Sequence, residues 1–310
     1  MSASLKYSVV IPVFNSEKIV GETIYRTVAF FRREDLKFEL ILVNDGSSDG
    51  SWGVLQQKAH EYREIIAINL LRNYGQHVAN ICGFRQSQGD YVITMDDDLQ
   101  NPPEEIKKLI EKAAKGHDLV IGRFREKKHS LARRIGSRIV GLINRRIFHG
   151  QKDLVLTNFR IIHRDVIERA CQYKTSYPYV PGLVLMFSTS RANVLVNHRE
   201  RSVGSSNYNL WRIAKLVSEL LFNYSSYPLR LVAGIGLLTA MASFTISIFY
   251  LLMAFFVGTN VPGWATVVVL LSFFNGMTLF VLGMLGEYLV RLINQGSHTE
   301  PYHIKEIIRE

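Results

Sequence analysis

The sequence predicts an α/β domain with a mostly parallel sheet, followed by a two-helix membrane hairpin, and three observations lead there. Short apolar runs alternate with helical stretches through the first half of the chain, the pattern of strands joined by helical crossovers. Polar clusters fall where those runs stop, around Asn15, Asp45 and Asp96. Between 229 and 293 the only charged residues are Arg230, Glu287 and Arg291, in a chain whose formal charge is +10.

Taken in order, residues 7–13 read as a buried strand that ends in a loop at 14–16, and a helix is expected over 18–32. Residues 38–44 form a second strand, stopping at Asp45-Gly46-Ser47-Ser48-Asp49-Gly50. The third strand is 65–70 and the fourth 91–95, with a helix over 76–86 between them. Pro102-Pro103 opens a helix to 115, and a strand over 118–122 follows. A sheet of this kind is covered on both faces, and its ligands bind outside the carboxyl ends of the strands. The polar clusters sit at those ends.

Residues 130–149 differ in character. Leu131, Ile135, Ile139, Leu142, Ile143 and Ile147 mark one helical face, and Arg133, Arg134, Arg138 and Arg145 favour the other. This is either a surface element near lipid phosphates or an ordinary solvated helix. A second amphipathic stretch, 210–224, leads into the apolar region. Residues 231–257 carry no charge and exceed the roughly 20 residues that span a bilayer. The loop 258–263 contains Pro262, and 264–285 is the second span, with Trp264 and Tyr288 as interface anchors. Arg212, Lys215 and Arg230 precede the hairpin, and Arg291 and Lys305 follow it, so both termini belong on the cytoplasmic side of an inner membrane. Residues 1–7 lack a secretory signal pattern. The expected parts are a catalytic domain over 1–208, a juxtamembrane helix over 209–228, the hairpin over 229–292 and a cytoplasmic tail over 293–310.

The basic balance suits anionic lipid head groups or phosphorylated substrates. Nucleic acid is not an expected partner, because no nucleic-acid motif accompanies the charge. Cys82 and Cys171 stand apart, which argues against a disulfide framework or a zinc site.

The sharpest chemical signal is Asp96-Asp97-Asp98-Leu99-Gln100, directly after a buried strand. Side chains two apart on extended chain face the same way. Asp96 and Asp98 can therefore converge on one hard divalent cation, leaving Asp97 turned elsewhere. Such a cation would stabilise charge gathering on a nucleoside-diphosphate leaving group.

Val9-Val-Ile-Pro-Val-Phe-Asn15, Val43-Asn-Asp-Gly-Ser-Ser-Asp49, Leu71-Arg-Asn-Tyr-Gly-Gln-His77 and the run from Asp96 to Pro103 occur in the order seen in family 2 glycosyltransferases. With Gly122-Arg123, Thr157-Asn-Phe-Arg160, Arg201-Ser-Val-Gly-Ser-Ser-Asn-Tyr208 and Leu285-Gly-Glu-Tyr288, the chain resembles the polyisoprenyl-phosphate branch of that family over nearly its whole length. That branch holds the dolichyl-phosphate mannose synthases and the bacterial undecaprenyl-phosphate sugar transferases. The resemblance implies a GT-A (Rossmann-like) nucleotide-sugar domain and inverting transfer of one sugar, from a UDP-linked donor, to a polyprenyl phosphate carrier. It also implies Mg2+ or Mn2+ held by Asp96 and Asp98 with Gln100 in support. Pro12, Phe14, Asp45 and Asp97 are then expected at the nucleotide, Arg123 and Asn158 at the reacting groups, and Arg201, Ser206 and Asn207 at phosphates.

Three positions depart from the family pattern. Ser16 stands where relatives usually carry Glu, Asn207 where a Gly-x-Ser-Lys pattern has Lys, and Asn158 where the bacterial motif has Asp. Transfer to an alcohol would need a general base at 158, whereas a polyprenyl phosphate, with a second pKa near about 6, arrives already ionised. The rivals are a degenerate relative that binds lipid phosphate or partners without transfer, and a polysaccharide synthase. The second normally needs a Gln-x-x-Arg-Trp motif and more spans, and neither is present. Self-association through the hairpin is compatible with the sequence.

Overall fold

The computed structural model describes residues 5–124, 146–148, 154–175, 177–197, 217, 224–225, 227–257, 263–296 and 301–309. The chain divides into two compact units, Met1–Ile213 with Thr299–Glu310, and Ala214–His298.

The first unit opens with β1 (Lys6–Val13), α1 (Glu17–Arg33), β2 (Lys37–Asn44), α2 (Ser51–Glu61), β3 (Ile65–Leu70), α3 (Gln76–Gln86), β4 (Tyr91–Thr94), α4 (Ile106–Ala113) and β5 (Leu119–Phe124). These are the expected strands and helices, with α2 added between β2 and β3. The strands read as unbroken apolar runs because helices cover both faces of the sheet. Val9, Ile11, Leu40 and Leu42 point to the side where α1, α2 and α4 contribute Ile24, Phe31, Leu55 and Leu109, all of them buried. Val10, alternating with Val9 and Ile11, faces the other way and meets α3. A Cβ on Gly83 of α3 would lie 2.4 Å from Val10 Cγ1, so the missing side chain sets how closely that helix seats.

The chain then supplies β6 (Arg160–His163), α5 (Arg164–Gln172), α6 (Val180–Phe187) and β7 (Arg191–Val196), and the C-terminal end returns as β8 (Ile304–Arg309). The strand order is β7-β5-β6-β4-β1-β2-β3-β8. The β4-β1-β2-β3 part is parallel as expected. β6 enters antiparallel between β4 and β5, and β8 pairs antiparallel with β3, so the sheet is mixed rather than mostly parallel. Both strands evade a sequence reading for physical reasons. β6 is Arg-Ile-Ile-His, two apolar residues between two basic ones, so no apolar run marks it. β8, Ile-Lys-Glu-Ile-Ile-Arg, carries the charges usual for a strand at a sheet edge. Because β6 reverses twice, β5 runs parallel to β4, and its carboxyl end lies on the same edge of the sheet as those of β1 to β4.

The second unit contains α7 (Tyr227–Val257) and α8 (Trp264–Gly296), 31 and 33 residues long. Leu238, Phe256, Leu271 and Phe280 are among the large apolar side chains these helices expose. Among the described residues no helix is long and apolar enough to cross a membrane. The apolar runs of α7 and α8 in the full sequence include side chains outside that set, and the hairpin is taken up below as a proposal.

Candidate active site

A cleft of about 440 Å³ opens at the carboxyl ends of β1, β2 and β4. Pro12 and Val13 reach it from the end of β1, with Phe14 beyond them; Asp45 follows β2, and Asp96, Asp97, Asp98 and Gln100 follow β4. Asn73 and Gly75, between β3 and α3, and Gln76, the first residue of α3, complete the wall.

Asp45 is 2% exposed. Its carboxylate accepts the backbone N–H groups of Tyr74 (2.7 Å) and Gly75 (2.8 Å), and its carbonyl accepts from Asn73 Nδ2 (3.1 Å). Burial raises the Asp45 pKa, and those two amide bonds oppose the rise. Gly46 shows why the loops meet so closely. Its φ is +64°, and a Cβ there would lie 2.4 Å from Arg72 C and Asn73 N, so only glycine lets the two backbones touch. Asn15, itself at φ +52°, accepts the Ser48 N–H on Oδ1 (2.9 Å) and ties the first loop to the second.

All three aspartates of the acidic run line the cleft. Asp97 turns toward α1 and its entry loop. Its Oδ2 accepts the Phe14 N–H (3.4 Å) and its carbonyl accepts from Thr23 Oγ1 (2.8 Å). Burial pushes its pKa up to about 6, with Ser16 and Phe14 pulling it down and the Asp96 and Asp98 charges adding to the rise. Leu99 then adopts φ +58°, a left-handed conformation that costs a β-carbon residue on the order of 1 kcal/mol. The turn brings the Gln100 N–H onto Asp98 Oδ1 (3.1 Å).

Asp96 is the hub. Its Oδ1 accepts from Gln76 Nε2 (2.6 Å) and from Asn158 Nδ2 (2.8 Å), while Oδ2 accepts no hydrogen bond among the described residues. Burial raises its pKa, the Asn158 bond opposes the rise, and the Asp98 charge adds to it. Asn158 does not line the cleft. It stands one hydrogen bond behind the wall, and its Oδ1 accepts from Arg160 Nη2 (3.0 Å) and Asn80 Nδ2 (3.3 Å). Arg160 is 1% exposed, and its Nε donates to Thr94 Oγ1 (3.1 Å). Burial brings that guanidinium down to about 10, so it stays a cation at neutral pH. His77, T-shaped against Tyr179 at 5.2 Å, is held down to about 4 by burial and by the Arg160 charge.

The fit of a metal is judged on the donors. Among the described residues no group of three or more His, Cys, Asp or Glu side chains gathers as a metal cluster. Asp96, Asp98 and the Gln100 amide nonetheless form an oxygen-only set on an open cleft. This is what a hard cation needs when it takes one or two carboxylates and completes its shell with substrate phosphates and water.

Of the residues singled out from the sequence, Pro12, Phe14, Asp45, Asp96, Asp97, Asp98 and Gln100 share the cleft, and Asn158 supports it. Arg123 is exposed at the end of β5, on the same sheet edge but outside the cleft lining. Arg201, Ser206 and Asn207 lie outside the described residues, as do most of the amphipathic stretches 130–149 and 210–224. Sequence reasoning passed over Gln76, Asn80, Thr94 and Arg160. Gln76 and Arg160 belong to motifs that carried the resemblance, and a polar residue beside an acid-bearing motif was the available signal.

The description "Glycosyl transferase family 2" matches residues 8–169. The undecaprenyl-phosphate 4-deoxy-4-formamido-L-arabinose transferase of Proteus mirabilis is 34% identical over 307 residues, covering 98% of this chain and 94% of that protein. The protein of the same name from Pseudomonas paraeruginosa is 37% identical over 306 residues, covering 97% and 90%. Among solved structures, glucosyl-3-phosphoglycerate synthase from Mycobacterium tuberculosis, in complex with Mn2+, UDP and phosphoglyceric acid, superimposes with a TM-score of 0.51 at 18% identity, over 70% of this chain and 76% of that one. Mannosyl-3-phosphoglycerate synthase from Rubrobacter xylanophilus gives 0.51 at 16% identity, over 70% and 72%. These two likenesses concern the α/β GT-A-like fold. With the family match and near-full-length relatives beyond 30% identity, this chain belongs to glycosyl transferase family 2 and is a glycosyltransferase.

Proposed function

We propose that the chain transfers one sugar from a nucleotide-sugar donor, UDP-linked, to a polyprenyl phosphate, with inversion at the anomeric carbon. The relatives named as undecaprenyl-phosphate sugar transferases support the acceptor. The observation that carries the reading is at Asn158, where the bacterial motif has a carboxylate. The residue is an amide with its nitrogen spent on Asp96 and its oxygen on Arg160 and Asn80, so it takes no proton from an acceptor. An acceptor phosphate needs none removed. Its oxygen forms the new bond to C1 while the bond from C1 to the nucleoside diphosphate breaks, and that electron pair leaves with the diphosphate.

In this reading Pro12 and Phe14 flank the base, Asp45 fixes the loop over the nucleotide, and Asp97 holds the first loop in place. Asp96, Asp98 and Gln100 would hold Mg2+ or Mn2+, which supplies positive charge to the departing diphosphate. Arg123 meets a phosphate from the far side of the sheet edge, and Arg201, Ser206 and Asn207 are assigned to phosphates of donor or acceptor. α7 and α8 form a bilayer hairpin at a cytoplasmic membrane with both termini inside. Its support is the pair of long helices with three charges between 229 and 293 and their exposed apolar side chains.

Two measurements test the parts separately. Thermal stabilisation against a panel of UDP-, GDP- and ADP-sugars should single out a UDP sugar, and a response confined to another nucleotide overturns that assignment. Reporters after Glu310 and within 258–263 should be accessible from the cytoplasm and inaccessible from it, respectively. The reverse pattern removes the active site from cytoplasmic nucleotide sugars.

A further inference from the structure

Arg160 is a puzzle for stability alone. It is a cation at 1% exposure in the middle of the sheet, paired in register with Thr94 on one side and Ile121 on the other. Its Nη1 has no hydrogen-bond partner among the described residues. Burial of a guanidinium without a direct carboxylate partner is costly, and an apolar residue of similar volume would serve the packing as well.

What Arg160 does is fix a direction. An asparagine amide offers a donor end and an acceptor end of nearly equal shape, and its surroundings must choose between them. Arg160 Nη2 can only donate, and it points at Asn158 Oδ1 with Asn80 Nδ2 beside it. The oxygen of Asn158 therefore faces inward and its NH2 faces Asp96 Oδ1. Thr94 locks the same unit, since its hydroxyl accepts from Arg160 Nε and donates to the Asn158 carbonyl. Gln76 donates to the same Asp96 oxygen, which leaves Oδ2 without a protein donor among the described residues.

We propose that Arg160 is a positioning residue: it sets the polarity of the Asn158 amide and, through that amide, fixes the Asp96 carboxylate with Oδ2 toward the cleft. The chain runs guanidinium, amide, carboxylate. Without the cation only the longer Asn80 bond holds the amide oxygen inward, and a flipped amide would turn that oxygen onto the carboxylate it now clamps. The inference rests on the reading of Asp96 as part of the donor site.

The test uses the full-length protein with Arg160→Met, Asn158→Ala, the double variant and Asp96→Ala. It reads kcat and donor KM for transfer, and Mn2+ binding by electron paramagnetic resonance without donor. Arg160→Met should lower kcat by about tenfold to a hundredfold and weaken Mn2+ binding by about tenfold, the scale of groups that orient a metal ligand. Donor KM should change little. The double variant should be no worse than the poorer single variant, because both remove one linked unit. A folded Arg160→Met with native kcat and Mn2+ binding overturns the inference, and so do losses that multiply in the double variant. Should Arg160→Met fail to fold, Asn158→Asp decides, since a carboxylate still accepts from Arg160 but cannot donate to Asp96. A loss of about tenfold or more supports the inference, and unchanged or increased turnover overturns it. Full turnover in Asp96→Ala would take down the donor-site reading, and this inference with it. Silent Asp96→Ala beside unaffected Arg160 variants overturns this inference alone.

Discussion

The two halves of the sheet contribute to the cleft in opposite ways. The parallel half, β3-β2-β1-β4, hands each strand directly to a loop that lines the cleft, and those loops are held by backbone N–H groups and close backbone contact, as at Asp45 and Gly46. Among the described residues, the half built from β6, β5 and β7 puts none into the cleft lining. It supplies a buried guanidinium and an amide, joined side chain to side chain, that reach Asp96 from behind. One half presents chemical groups, and the other aims one of them. Damage to the first should abolish the reaction or unseat a loop, while damage to the second should leave the groups in place and misdirect them.

Asp96→Ala should give the largest effect. It deletes the hub on the presenting side, and transfer should fall by about a thousandfold, the upper range for loss of one charge-stabilising group. Radiolabelled donor assays with circular dichroism as the fold control measure it, and near-native turnover would erase the distinction between the halves. Asn158→Ala, on the aiming side, should cost about tenfold to a hundredfold in kcat. A loss as deep as that of Asp96→Ala would place Asn158 among the reacting groups instead.

Gly46→Ala probes the presenting side through stability. With φ +64° and a Cβ 2.4 Å from the Arg72–Asn73 backbone, the substitution should cost about 1–3 kcal/mol. That corresponds to a fall of roughly 2–12 °C in the melting temperature of a domain this size. An unchanged melting temperature would show that the two loops are not in contact.

The last of these concerns His77, whose folded pKa of about 4 lies below the ordinary histidine value of 6.5. The unfolded chain takes up this proton first, so the contribution is complete above pH 6.5 and is lost as pH falls through 4. Stability should decline across that window, and His77→Phe, which keeps a ring against Tyr179, should flatten the decline. Identical pH profiles for both proteins would remove His77 from the buried network.

The presenting half was legible in the sequence because each of its strands is an apolar run followed at once by its polar loop. Asp96 and Asp98 could be paired from their spacing, Gln100 joined them through the family resemblance, and Asp97, expected to turn elsewhere, lines the same cleft while its carboxylate anchors the first loop. The aiming half was not legible. β6 has only two apolar residues between Arg160 and His163, and its register against Thr94 is a long-range pairing that no local pattern encodes. Arg160 in a chain with 37 Lys and Arg residues reads as a surface charge until its burial is seen. Asn158 drew notice only as a departure from a family motif, and its sequence position does not reveal that both ends of its amide are occupied.

The most direct test of the central claim is transfer itself, measured with the full-length protein in detergent, undecaprenyl phosphate as acceptor and a panel of labelled UDP sugars. The account predicts that one donor yields a lipid-linked sugar, that EDTA stops the reaction and that Mg2+ or Mn2+ restores it. Full turnover in a metal-free preparation would contradict the role given to Asp96 and Asp98. A native protein silent with every donor, switched on by Asn158→Asp, would show a transferase that has lost its base, and would contradict transfer to an acceptor that brings its own charge.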